Sequence, residues 1–81
     1  MSTADQVKQI VAEQLGKDVS EVGLDATFVG DLGADSLDRS ECIVAFEQTF
    51  KIQISPEDAM QIKSVRNAVD YIEASMSASR T

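Results

Sequence analysis

Few side chains in this chain of 81 residues could do chemistry, and the best placed is Ser36. It stands in Gly33-Ala34-Asp35-Ser36-Leu37-Asp38, where a long loop gives way to an acidic helical pattern. A hydroxyl there is exposed and close to the unpaired N–H groups of the helix's first turn. Those groups carry the positive end of the helix dipole, a setting that favours a phosphate ester. The chain contains no histidine, so a serine triad of the usual kind has no base. Ser36 therefore reads as an attachment point rather than a nucleophile. The one thiol, Cys42, falls on the apolar stripe of the same helix and reads as packing. Asp31, Asp35 and Asp38 cluster at one end, but their spacing lacks the alternating ligands of a calcium loop, so no metal site is expected.

The elements that must position Ser36 are helices. Val7, Ile10, Val11 and Leu15 share one face of a first helix from about Ala4 to Leu15, with Thr3 and Gln6 as its capping box and Gly16 as its stop. Gly16 to Asp35 is a connection of about 20 residues, long for so small a domain. Val19, Val22, Leu24, Phe28, Val29 and Leu32 recur along it as pegs to the core, with a short helical turn expected near Ser20-Glu21-Val22. Gly30 and Gly33 permit bends before Ser36. The second helix spans Ser36 to Phe50, capped by Asp35, with Cys42, Ile43, Phe46 and Phe50 as its core stripe. After the extended link Lys51–Ile54, Ser55 and Pro56 start a short third helix that ends near Ile62 or Lys63. Ser64 caps a fourth helix through about Ala74, facing inward with Val65, Ala68, Val69, Ile72 and Met76. The tail from Ser75 to Thr81 is expected to fray, chiefly over residues 76–81. These elements predict an all-α fold in one domain, residues 1–81. It is a small four-helix bundle with three longer helices, one short one and a long loop between the first two.

The composition narrows the partners. At 43% hydrophobic the chain can build a packed interior, yet its longest apolar run, Cys42–Phe46, is too short to span a membrane. The first residues lack the basic and apolar blocks of a secretion signal, and a lone cysteine fits a reducing compartment. The cytoplasm is the expected location, or a plastid or mitochondrial matrix after removal of a transit peptide. Between Asp25 and Asp58, eight acids face only Arg39 and Lys51, which places −6 of the net −7 there. Nucleic acid and anionic membranes are therefore poor partners, and a basic protein surface is the complement. On the side of the second helix opposite its core stripe, Leu37, Ser40, Glu41, Val44, Glu47 and Gln48 fall together. Apolar residues among acids suit docking, with contacts for affinity and charges for steering, although single exposed apolar residues are also common. Asp38 and, from the third helix, Met60 complete the candidate docking set.

Asp31-Leu32-Gly33-Ala34-Asp35-Ser36-Leu37-Asp38 resembles the prosthetic-group attachment motif of acyl carrier proteins, in the discrete bacterial or organellar style. The likeness extends over nearly the whole chain. Val7–Gly16 is similar to the family's first helix and Ala26-Thr27-Phe28-Val29 to its loop segment. Ala45-Phe46-Glu47 with Phe50, and Val69-Asp70-Tyr71-Ile72, fall where the second and fourth helices lie. The resemblance implies a 4′-phosphopantetheine on Ser36, flanked by Asp35, Leu37 and Asp38. A separate magnesium-dependent phosphopantetheinyl transferase (holo-carrier synthase) would transfer it from coenzyme A. It implies a monomeric carrier without catalytic residues, presenting thioesters to fatty acid synthesis enzymes with basic docking patches.

The family also shelters the acyl chain between its helices, and Phe28, Leu32, Cys42, Phe46, Ile54, Ala59, Ile62, Ala68 and Ile72 are the candidate lining, for which ordinary core packing is the plain alternative. Arg39, Ser40 and Cys42 depart from the family's usual small or apolar residues and leucine, and Gln48, Gln53 and Met60 replace positions that are often acidic. Arg39, one turn after Asp35 and near the arm's phosphate, is placed to pair with either. These departures keep two other readings open: a specialised carrier for polyketide or other acyl transfer, and a non-catalytic stabilising subunit whose serine is incidental.

Overall fold

The computed structural model describes residues 2–78. α1 spans Thr3–Leu15, and its N-cap is Ser2, whose Oγ accepts from the Asp5 amide at 3.1 Å. The cap therefore sits one residue before the Thr3 expected from the sequence. Serine caps as well as threonine does, and with Ser2 as the cap Asp5 takes the third helical position, where its amide meets the Ser2 hydroxyl. Gly16 ends the helix in the left-handed conformation at φ 66°, as its lack of a side chain allows.

The long connection begins with a single 3₁₀ turn, Val19–Glu21, and then folds onto the core through Val22, Phe28 and Leu32, which are buried, and Leu24, which is half-buried. Val19 and Val29 are not pegs: they are 45% and 64% exposed. A one-turn segment turns only one side inward, and Val22 takes that side. In the tight turn that follows, Phe28 and Leu32 are the inward pair at i, i+4, which leaves Val29 outside. Backbone pairing holds this loop to the junction before the last helix. The Phe28 amide donates to Lys63 O at 3.0 Å, Val65 to Ala26 O at 3.0 Å, and Arg66 to Leu24 O at 2.8 Å. Thr27 and Ser64 form one isolated antiparallel bridge, and no strand occurs among the described residues.

α2 covers Ser36–Phe50, the span that the spacing predicts. It ends at Lys51, a non-glycine residue held at φ 55°. That turn sends Ile52 and Ile54 back to the core, where Ile54 is buried. α3, Pro56–Gln61, starts at Ser55, whose Oγ accepts from the Asp58 amide at 3.2 Å. α4 runs Val65–Ala78, longer than expected. The segment Ser75–Ala78 is helical rather than frayed, because neither glycine nor proline interrupts it and Met76 continues the inward stripe, half-buried against the core. The rest of the expected frayed tail, residues 79–81, lies outside the described residues.

α1, α2 and α4 pack against one another. Val7, Val11, Phe46, Val65, Ala68 and Ile72 are fully enclosed between them, and truncating a residue such as Phe46 would cost about 3–5 kcal/mol. α3 contains no buried residue and lies to the side. Ile62 just after it is buried, and Tyr71 Oη on α4 donates to Asp58 Oδ2 at 2.8 Å. No described helix is long and apolar enough to cross a membrane.

Candidate functional site

Ser36 is the first residue of α2 and is exposed. The turn that delivers it is built from side chains as well as backbone. Asp31 Oδ2 accepts from the Thr27 amide at 2.9 Å, while Thr27 Oγ1 accepts from the Asp31 amide at 3.0 Å. Gly33 then takes φ 67°, and Ala34 is buried, with its amide donating to Phe28 O at 2.7 Å. A Cβ on Gly33 would meet nothing, so its conformation, not space, calls for glycine; at Gly30 the reverse holds.

Asp35 caps α2 in a reciprocal box with Asp38: the Asp38 amide donates to Asp35 Oδ1 and the Asp35 amide to Asp38 Oδ2. The amides of Ser36 and Leu37 precede any possible intrahelical acceptor and remain available beside the Ser36 hydroxyl. With two free donors, a dipole and an exposed oxygen, the site suits a phosphodiester on that oxygen. No histidine exists to deprotonate it.

A cleft of about 420 Å³ opens beside Ser36 between α2 and α3. Arg39, Ser40, Ile43, Val44, Ile54, Pro56, Ala59 and Met60 complete its lining. Of the nine residues expected to shelter a chain, only Ile54 and Ala59 line it. Phe28, Leu32, Cys42, Phe46, Ile62, Ala68 and Ile72 are instead buried in the core, where side chains are closely packed. Arg39, Ser40, Ile43, Val44, Pro56 and Met60 line the cleft and are absent from the lining expected from the sequence. The sequence signal for Ile43 is its position at the edge of the Cys42–Phe46–Phe50 stripe at about 100° per residue, and in the structure it is half-buried there.

On the outward side of α2, Leu37, Ser40, Glu41, Val44 and Gln48 surround a shallow depression with Gln14 and Ala45. Leu37 is 67% exposed and Met60, across the cleft, 68%. Two acids expected on this face are otherwise engaged. Asp38 belongs to the capping box, and Glu47 turns to the α2–α3 link, where its Oε2 accepts from the Ile54 amide at 2.8 Å.

Arg39 does not pair with Asp35. Its Nη2 donates to Ala59 O and Ile62 O, both at 3.1 Å, at the end of α3. The Asp35 carboxylate is already held in its box, whereas Ile62 O lies past the last turn of α3 and Ala59 O, which accepts from the Ile62 amide, has a second lone pair open. These contacts lie 20 and 23 residues away in sequence, so no local signal announced them. Cys42 is buried, and burial, with Asp38 and Glu41 nearby, pushes its thiol up to about 11. Such a thiol is inert at neutral pH. Among the described residues no cluster of His, Cys, Asp and Glu could hold a metal ion.

Comparison with known proteins agrees with this geometry. A family profile described as "Phosphopantetheine attachment site" matches residues 5–72. The chain is 55% identical over 73 residues to a protein named "Acyl carrier protein" from Solidesulfovibrio magneticus, covering 90% of this chain and 94% of that one. It is also similar to the solution structure of the apo doublet acyl carrier protein from prodigiosin biosynthesis, at TM-score 0.79 and 28% identity. That match covers 89% of this chain and 35% of the other.

Proposed function

The chain belongs to the acyl carrier protein family, whose members carry phosphopantetheine and are not themselves catalysts, and from that premise we propose that Ser36 Oγ is its attachment atom. The observation that carries this reading is the exposed hydroxyl at the first position of α2, beside two amides without acceptors and at the mouth of the α2–α3 cleft. Loading breaks the pyrophosphate bond of coenzyme A, joins the phosphopantetheine phosphorus to Oγ as a phosphodiester and releases 3′,5′-adenosine bisphosphate, and the base that takes the hydroxyl proton belongs to the transferase, since this chain has no histidine. The arm supplies the thiol on which acyl groups ride as thioesters, and this chain supplies position, solubility and recognition. Leu37, Val44 and Met60, with Glu41 beside them, form the surface that basic patches on the transferase and on fatty acid synthesis enzymes meet.

The experiment is coexpression with a phosphopantetheinyl transferase, followed by intact mass. The wild type gains the mass of one arm and Ser36→Ala gains none; an unmodified wild type under abundant coenzyme A would refute the attachment. A second reading, a carrier for specialised rather than fatty acid synthesis, draws on two observations. One is the likeness to a carrier from prodigiosin biosynthesis; the other is the arginine at position 39 inside the cleft. The mass of the cargo on protein taken from its own host separates the two.

A further inference from the structure

Arg39 is a cation in a strongly acidic region, yet the bonds it makes are to carbonyls of α3. Ala59 O receives two donors, the Ile62 amide at 3.2 Å and the guanidinium at 3.1 Å. α3 has few other ties: the Tyr71–Asp58 bond near its start, the Glu47–Ile54 bond just before it, and Ile62 buried after it. Among the described residues Arg39 is therefore the one side chain of α2 that hydrogen-bonds to the far end of α3.

It also occupies a boundary. The cleft beside Ser36 lies on one side of Arg39. On another side is a second cleft of about 320 Å³, lined by Thr27, Val29, Lys63 and Arg39 itself. The two clefts share Arg39 and no other residue. A chain running from Ser36 along the first cleft towards the second would have to pass Arg39, since no other residue borders both. Passing it means either breaking two charge-assisted hydrogen bonds or desolvating a charge against methylenes, both unfavourable.

We infer that Arg39 is a specificity-determining residue for the cargo: it latches the end of α3 to α2 and bars the passage between the two clefts, so that it sets the chain length beyond which further methylenes gain no shelter. The inference rests on the attachment of cargo at Ser36. The polar barrier discriminates by length, because each methylene buried short of it is favourable and each one beyond it stays in water.

The test loads a series of acyl chains of increasing length, from their coenzyme A thioesters with a phosphopantetheinyl transferase, onto the wild type and Arg39→Met. Thermal midpoints are then read for each acylated form against its own unacylated form. The wild-type gain is expected to rise with length and then level off. In Arg39→Met, which keeps an unbranched stem without donors or charge, levelling is expected at longer chains, with a maximum gain several degrees higher. A merely structural arginine would lower all Arg39→Met midpoints together and leave the levelling point in place, and that result overturns the inference. Should Arg39→Met not fold, Arg39→Lys keeps the charge without the planar fork. Its levelling point is expected between the other two, with faster amide exchange in α3, and an unmoved levelling point overturns the inference there too. Failure of the wild type to load at all would overturn the attachment at Ser36 and this inference with it. Loading with coincident length profiles overturns this inference alone.

Discussion

Asp35 and Asp38 exchange hydrogen bonds across the first turn of α2, the Asp38 amide reaching Asp35 Oδ1 at 2.8 Å and the Asp35 amide reaching Asp38 Oδ2 at 3.2 Å. Ser36 and Leu37 lie inside that box, so the residues that flank Ser36 also set its backbone. Asp35→Ala removes the stronger of the two bonds. The expected cost is about 1 kcal/mol, or roughly 4–8 °C in thermal midpoint for a domain of this size. Thermal denaturation followed by helical circular dichroism checks it, and an unchanged midpoint would show the box to be ornamental.

Glu47 is expected to matter for stability more than an outward acid should. Its carboxylate accepts from the partly buried Ile54 amide at 2.8 Å. Glu47→Ala leaves that amide without its partner and should cost about 1–3 kcal/mol in urea unfolding. Glu47→Gln retains a neutral acceptor and should cost less. Equal losses in the two variants would mean that packing, and not the hydrogen bond, is responsible.

Gly30 is needed for space. A Cβ there would lie 2.8 Å from Thr27 Oγ1, the oxygen that accepts from the Asp31 amide. Gly30→Ala should therefore destabilise by about 1–3 kcal/mol, and by less in a Thr27→Ala background. A double-mutant cycle should give a coupling on the order of 1 kcal/mol. Strict additivity would place the cost elsewhere.

Stability should fall on the alkaline side. Burial, reinforced by Asp38 and Glu41, raises the Cys42 thiol from 9.0 to about 11. Between those values the unfolded chain has lost the proton that the folded chain keeps, so the unfolded state binds fewer protons and stability declines with pH. The contribution is complete below pH 9 and gone once pH passes about 11, a loss on the order of 2 kcal/mol. Tyr71, raised by its hydrogen bond to Asp58 and then by burial, acts in the same direction at higher pH. In Cys42→Ala the decline measured by urea unfolding should become shallower; an identical decline would remove Cys42 as its source. At neutral pH a thiol reagent should label the folded protein far more slowly than the unfolded one.

Much of the molecule was legible from local pattern. α2 was readable to the residue because Asp35 is a strong cap and Cys42 and Phe46 repeat at helical spacing. The place of Ser36 at the start of that helix was readable because a helix start depends on neighbours in sequence, here the Asp35 cap. α4 was read too short because a run of serines resembles a tail when its packing is unseen, while Met76 against the core extends it.

The sequence by itself determined four helices, the acidic surface and the place of Ser36 at the start of the second, since each follows from interactions within a few residues along the chain. Only the tertiary structure decided which apolar side chains fill the core and which border the cleft. It also turned Arg39 away from Asp35 to the end of α3, and drew Glu47 to Ile54. Periodicity reports that a face is buried but not against what. A long side chain on a helix flank takes whichever acceptor the fold brings within reach, and here those acceptors were the carbonyls of Ala59 and Ile62 at the end of the next helix.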